Sequence, residues 1–304
     1  MAPAARPDCP ENAPVLMRPK HLIAAFAALV LAACGDSATS AGGSSGTASA
    51  APAPAAVELL KPQAADIGAG SASAPVTVFE YASMTCGHCA RFHVNVLPEI
   101  KKQYVETGKV RFFFRDFPLD PIAASGALLA RCAGEAGYLP FVDLLFRTQQ
   151  TWAFGENPRE GLIGMGRQAG IGREKAEACM KDEPAYKRMI DGQKQAQEVF
   201  GVNSTPSFVI TSPKIQSDPA AAKAALDAIT FTPEEWGFGS QTVKFSDQFL
   251  IRNGAVVRAG EASPEVFAKV FNAILALEGV EAPATPAPAA APAEPAPPAP
   301  APAQ

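Results

Sequence analysis

Val76-Thr77-Val78-Phe79-Glu80-Tyr81 runs toward Cys86-Gly87-His88-Cys89, and a helical pattern from Ala90 to Tyr104 follows. The first stretch is apolar and β-branched, which predicts a strand. In the last, Phe92, Val96 and Ile100 recur every four residues, with Leu97 and Tyr104 on or near the same face. That spacing predicts a helix with one buried side, which Pro98 kinks or resets and Gly108 ends. Two thiols three positions apart at a strand-to-helix junction can close a disulfide. Cys86 falls at the helix N-terminus, where unpaired N–H groups and the helix dipole favour a thiolate. A thiolate is the species that attacks disulfides, so the arrangement points to a redox-active dithiol.

Working outward, Val110 to Arg115 reads as a second strand and Asp116 to Pro121 as a loop. From Ile122 to Phe200 the pattern is helical, with candidate helices at 122–136, 140–152, 158–169, 173–181 and 185–200 between Gly and Pro signals. Ser207 to Thr211 is a short strand. Phe249 to Arg258 reads as a hairpin around an Asn253-Gly254 type I′ turn, and Ser263-Pro264 caps a helix to about Leu277. Thr232-Pro-Glu-Glu235 has the form of a capping box before Trp236. Strand, helix and adjacent strand imply a right-handed crossover and a parallel pair, while the hairpin adds antiparallel strands. The expected fold class is α/β: a mixed sheet flanked by helices, carrying an inserted helical subdomain.

The chain has 304 residues, and its two ends carry little that could build a core. Residues 41 to 56 are almost all Ala, Gly, Ser, Thr and Pro, and residues 281 to 304 almost all Ala and Pro. A net charge of −4 and the lack of a basic stretch with interleaved aromatics argue against nucleic-acid binding. Arg18 and Lys20 precede an apolar run, Leu22 to Ala32, that is too short to span a bilayer. This is an export signal, and Met17 is a better start than Met1. Leu31-Ala32-Ala33-Cys34 resembles the lipobox of bacterial lipoproteins, with Cys34 as the lipidated residue. An ordinary signal peptide with a chance cysteine is the plain alternative. The expected organisation is export signal 1–33, lipid-anchor cysteine and flexible linker 34–60, one domain 61–279, and a tail 280–304. The domain carries a helical insertion at about 121–200 and a second insert at about 212–246.

Beyond the leader and Cys34, four cysteines remain: Cys86, Cys89, Cys132 and Cys179. An even number in an exported chain suggests two disulfides, and four cysteines allow three connectivities. The motif favours 86–89, which leaves Cys132 with Cys179; two buried free thiols are the alternative.

Four segments together resemble the DsbA-type thiol oxidoreductases, a thioredoxin fold with a helical insertion. They are Ala74-Pro-Val-Thr-Val-Phe-Glu-Tyr-Ala-Ser, Cys86-Gly-His-Cys89-Ala-Arg-Phe-His, Phe114-Arg-Asp-Phe-Pro-Leu-Asp120 and Gly201-Val-Asn-Ser-Thr-Pro206-Ser-Phe. The resemblance covers roughly residues 66 to 279. It implies that Cys86 is the exposed nucleophile and Cys89 the buried resolving thiol. It makes Pro206 a cis-proline beside them, with the Thr205 backbone open to an extended substrate. Glu80 matches an acidic residue beneath the buried cysteine that moves protons to and from it. His88, between the thiols, is expected to stabilise the Cys86 thiolate and so favour an oxidant.

The implied activity is dithiol–disulfide exchange in exported proteins, most directly as an oxidant, without a cofactor. It calls for thiol-containing exported substrates, a membrane redox partner, a lipid anchor and a periplasmic or cell-envelope location. Two features depart from the best-known members: Gly87-His88 instead of Pro-His, and Thr205 before the proline. They keep a reductase or isomerase as the alternative. A non-catalytic or metal-binding envelope lipoprotein is a minor one, with His93 joining the two cysteines. A structural zinc site needs a fourth ligand at short spacing, and none is present, so no metal is expected.

Overall fold

The computed structural model describes residues 54–236 and 240–283. The expected export signal, Cys34 and most of the expected linker and tail lie outside these residues.

Among the described residues, eight strands form in chain order: β1 (Ile67–Ala69), β2 (Val76–Ala82), β3 (Val110–Asp116), β4 (Ser207–Thr211), β5 (Thr230–Phe231), β6 (Val243–Lys244), β7 (Leu250–Arg252) and β8 (Ala255–Ala259). Six make one sheet in the order β1-β3-β2-β4-β8-β7; β5 and β6 pair separately. The β2–β3 pair is parallel and runs from Val76 opposite Val110 to Ala82 opposite Asp116. The β4 and β8 strands follow antiparallel. At the hairpin, Asn253 and Gly254 have φ of 52° and 78°, the left-handed pair that a type I′ turn requires.

Alternation along β2 divides the sheet's two faces. Val76 and Val78 pack with Phe92, Val96 and Ile100 of the first helix and with Phe267 and Phe271 of the last (Pro264–Leu277). Phe79 and Tyr81 face the other way, toward Phe113 and toward Phe200 at the end of helix Glu183–Phe200. That helix stops at Gly201, whose φ of 73° a side chain would strain. Burying each such aromatic is worth about 1.5–3 kcal/mol, so the core follows directly from the apolar spacing. Glu80, between Phe79 and Tyr81, is thereby turned toward the first helix.

The first helix begins at Gly87, continues through Val105, and passes through π-helical turns at Phe92–Val96 and Lys101–Val105. Pro98 has no N–H to donate, and the Leu97 N–H donates to the Phe92 carbonyl in a wider turn. The helical insertion comprises Pro121–Arg131, Gly134–Arg147, Gln149–Trp152, Pro158–Gln168, Arg173–Cys179 and the long helix Glu183–Phe200. They enclose their own core around Trp152, Tyr138 and Leu129.

Two expectations need correction, and one strand was not expected. The second of these helices starts at Gly134 and runs through Pro140, which was expected to open it; six residues of helix precede the proline. Residues 54–59 of the expected linker form a helix, Pro54–Leu59, whose Ala56 is buried along with the following Leu60. Strand β1 has no signature of its own. It lies antiparallel on β3 because Gly68 has no Cβ; one there would come within 2.4 Å of the Phe113 ring.

The described residues of the 212–246 insert, unplaced by the sequence, form defined elements. It contains helices Pro213–Ser217, Pro219–Asp227 and Pro233–Trp236, the β5–β6 pair, and helix Phe245–Gln248. The capping box forms as its spacing implies: Thr232 N–H donates to Glu235 Oε2 at 2.8 Å and Glu235 N–H to Thr232 Oγ1 at 3.3 Å. Phe231 and Phe245 from the insert, with Phe249 just beyond it, enter the core of the sheet face that holds the first helix. Among the described residues no helix is long and apolar enough to cross a membrane.

Candidate active site

Cys86 is the N-cap of the first helix, with extended backbone (φ −78°, ψ 117°). Its Sγ accepts from the Cys89 N–H at 3.4 Å. Its other near neighbour is the Thr205 carbonyl, 3.3 Å away. The Thr205–Pro206 peptide bond is cis. Residues 119 positions apart thus meet because β4 runs antiparallel beside β2 and starts where the first helix begins.

The two sulfurs, both free here, are electrostatically unequal. The Cys86 thiol is lowered to about 5. A hydrogen bond from the Cys89 thiol contributes most; burial opposes it, and the Thr205 side chain and the backbone N–H groups of Cys89 and His88 add smaller help. Cys89 is fully buried, and burial pushes its thiol far up, with the Cys86 sulfur and the Glu80 charge adding to the rise. At neutral pH the pair is one thiolate and one thiol.

His88 is placed differently from its expected role. Its ring is 63% exposed, and Nδ1 stands 3.0 Å from Glu261 Oε1, while Arg91 donates to the same oxygen at 2.7 Å. The residue's help to the Cys86 thiolate comes through its backbone N–H. Glu261 follows β8 and carried no sequence signal. It is held by Arg258, whose Nη2 donates to the Glu261 carbonyl at 2.8 Å. The Arg258 guanidinium lies over Trp236, 4.7 Å from the ring centroid, and burial pulls it down to about 10. The 212–246 insert therefore reaches the rim of the CxxC turn through Arg258.

Glu80 lies beneath the site, fully buried, with Oε2 2.9 Å from His93 Nε2. Gln149, also without a sequence signal, donates from Nε2 to the carbonyls of Met84 (2.9 Å) and Cys86 (3.0 Å). Thr85 donates to Asp120, the N-cap of helix Pro121–Arg131, and so ties the turn to the same helical insertion. Cys132 and Cys179 are bonded, far in sequence from the CxxC pair and 47 positions apart. Among the described residues no cluster of His, Cys, Asp or Glu is arranged to hold a metal ion.

The family model described as Thioredoxin matches residues 63–228. A protein of Rickettsia prowazekii, provisionally named protein-disulfide oxidoreductase, is 31% identical over 146 residues, 48% of this chain and 54% of that protein. The chain spans about half the length of the first such curated relatives it matches. Disulfide bond formation protein D of Bacillus subtilis is 23% identical over 161 residues, 49% of this chain and 68% of that one. The crystal structure of alpha-DsbA1 from Wolbachia pipientis superposes with a TM-score of 0.55 at 25% identity, over 72% of this chain and 98% of that one. With its cis-proline opposite Cys86 and its helices inserted between β3 and β4, this chain belongs to the thioredoxin family, in the DsbA-type form of the fold.

Proposed function

We propose that the chain is a thiol:disulfide oxidoreductase that exchanges Cys86–Cys89 with the thiols of exported proteins, acting as an oxidant. The observation that carries this reading is the inequality of the two sulfurs: Cys86 lowered to about 5, Cys89 raised and buried. A stabilised Cys86 thiolate favours the reduced enzyme, so the disulfide form gives up its bond readily to a substrate. The substrate thiolate attacks Cys86 and forms a mixed disulfide; a second substrate thiolate then displaces Cys86. The Thr205 backbone, beside Cys86, is the edge on which an extended substrate pairs.

Glu80, beneath Cys89, moves the proton that the buried sulfur must gain or lose. The leader and Cys34 support a lipid-anchored protein of the cell envelope, where a membrane redox partner restores the working form. Cys132–Cys179 serves as a structural staple. One observation favours a second reading, an isomerase or reductase: the His88 ring is engaged by Glu261 and Arg91, which withholds one oxidising influence from Cys86.

The test is oxidation of a dithiol peptide. Cys86→Ser abolishes it and Cys89→Ser accumulates mixed disulfides; an unchanged rate in Cys86→Ser removes the enzyme reading.

A further inference from the structure

Three ionisable side chains lead from Cys89 to the surface. Glu80 is 0% exposed, and its Oε1 has no hydrogen-bond partner among the described residues. Its Oε2 meets His93 Nε2 at 2.9 Å; on the other side of the ring, Nδ1 lies 3.3 Å from Asp143 Oδ1. Asp143 Oδ2 accepts from Lys101 at 3.1 Å. Side-chain exposure rises along this line from 0% at Glu80 to 4% at His93 and 28% at Asp143.

The placement follows from the fold. His93 is one turn beyond Cys89 on the first helix, Glu80 comes up from β2, and Asp143 comes from helix Gly134–Arg147. The other sides of the imidazole are closed by Phe92, Phe114 and Phe146, the last with its ring centroid 4.2 Å away. The charged or titratable groups that face the ring or its partners are therefore Glu80, Asp143, Lys101 and Cys89. A histidine buried between two carboxylates is not needed to fill space among phenylalanines, and burying it as an ion costs several kcal/mol unless both nitrogens are paired.

We propose that His93 and Asp143 carry the proton of Cys89 between Glu80 and solvent, which makes them positioning and relay residues for the exchange reaction. This rests on the oxidoreductase reading above. When a substrate thiolate attacks Cys86 of the disulfide form, the new S–S bond forms, the Cys86–Cys89 bond breaks, and the electron pair goes to the Cys89 sulfur. The proton that sulfur needs comes from His93, protonated between its two carboxylates: Nε2–H passes to Glu80 Oε2, and the Glu80 carboxyl, on turning, hands it to the Cys89 sulfur and returns to carboxylate. His93 is left neutral with its remaining proton on Nδ1, toward Asp143. Once that proton has exchanged to Nε2, Nδ1 is recharged by a proton from water delivered past Asp143, so one proton moves inward and every group returns to its starting state. When Cys89 acts as the attacking thiol, the same steps run outward. Burial would pull His93 down, but the Glu80 charge and the Asp143 contacts outweigh it and raise the imidazole above its usual value, which favours the protonated ring between its two carboxylates.

The experiment is single-turnover oxidation of a dithiol peptide by the full chain from pH 5 to 9, with His93→Gly, His93→Gln and Asp143→Asn. Expected are losses of roughly tenfold or more in rate constant, a displaced inflection in the pH profile, and recovery of His93→Gly by added imidazole. Cys86 alkylation should keep its wild-type rate, because the defect lies on the Cys89 side. If His93→Gly does not fold, Asp143→Asn carries the test, since its side chain is partly exposed and Glu80–His93 remains. Folded variants with the wild-type rate and pH profile overturn the relay, as does lowered thermal stability with an unchanged profile. An inactive wild-type chain would instead remove the oxidoreductase reading itself.

Discussion

Gln149 Nε2 stands 3.0 Å from the Cys86 carbonyl and 2.9 Å from that of Met84, so one side chain of the helical insertion holds both carbonyls of the CxxC approach. Gln149 is 2% exposed. Gln149→Leu leaves two buried carbonyls without this donor and should cost about 1–3 kcal/mol, read as a lower urea midpoint. It should also slow peptide oxidation, because the turn that presents Cys86 is no longer held. A variant as stable and as fast as wild type would separate the insertion from the site.

The Cys86 thiolate gives a pH signature. A thiol lowered to about 5 should be alkylated with an inflection near that pH and a flat rate through neutrality. Its folded value lies below its unfolded one, so the unfolded chain binds more protons in between. The contribution to the stability of the reduced protein is fully present above about pH 9, the unfolded value, and is lost as pH falls toward 5. Cys89 acts the other way: its folded value is raised, so its contribution holds at neutrality and fades only in alkali. The melting temperature of the reduced form, relative to the oxidised one, should fall between pH 8 and 5. A flat difference would contradict the assignment.

Glu261 Oε1 engages both the His88 ring and Arg91 at the rim of the CxxC turn. Glu261→Gln removes that negative charge and leaves the Arg91 charge unpaired there. The glutathione equilibrium should move roughly two- to tenfold toward reduced enzyme, on the order of 10–30 mV more oxidising. Stability should change by less than about 1 kcal/mol, since these ion pairs sit at the surface. A shift in the reducing direction would refute this influence of Glu261.

Cys132 and Cys179 close a loop 47 positions long. Replacing both with alanine should lower stability by ~4 kcal/mol on the chain-entropy account. Titration of Cys86 should not change, because these cysteines belong to the helical insertion and not to the turn. An altered Cys86 inflection would show that the staple also shapes the site.

The sheet and the dithiol were legible where chemistry repeats locally. The alternation in β2, the Asn253-Gly254 turn, and the Phe92, Val96 and Ile100 spacing each encode their element within a few residues. Cys86 at a helix start was readable for the same reason. Strand β1 was not: three residues around Gly68 have no pattern, and the strand exists only because β3 offers an edge. Pro140 reads as a helix start, yet tertiary packing of Tyr138, Phe141 and Val142 carries the helix across it.

The partners of the site were invisible because they come from far away in the chain. Gln149 meets Cys86 across 63 positions, Asp143 meets His93 across 50, and Glu261 meets His88 across 173. Spacing rules reach only a few residues, so they located the sulfurs and left most of what surrounds them to be found in space.

The central claim is that the inequality of Cys86 and Cys89 makes the pair an oxidant. The direct measurement is the equilibrium potential of the wild-type pair against glutathione at pH 7. The account predicts a value of about −120 to −180 mV, in the range of known oxidants and isomerases. A value near thioredoxin's, about −270 mV, would contradict it.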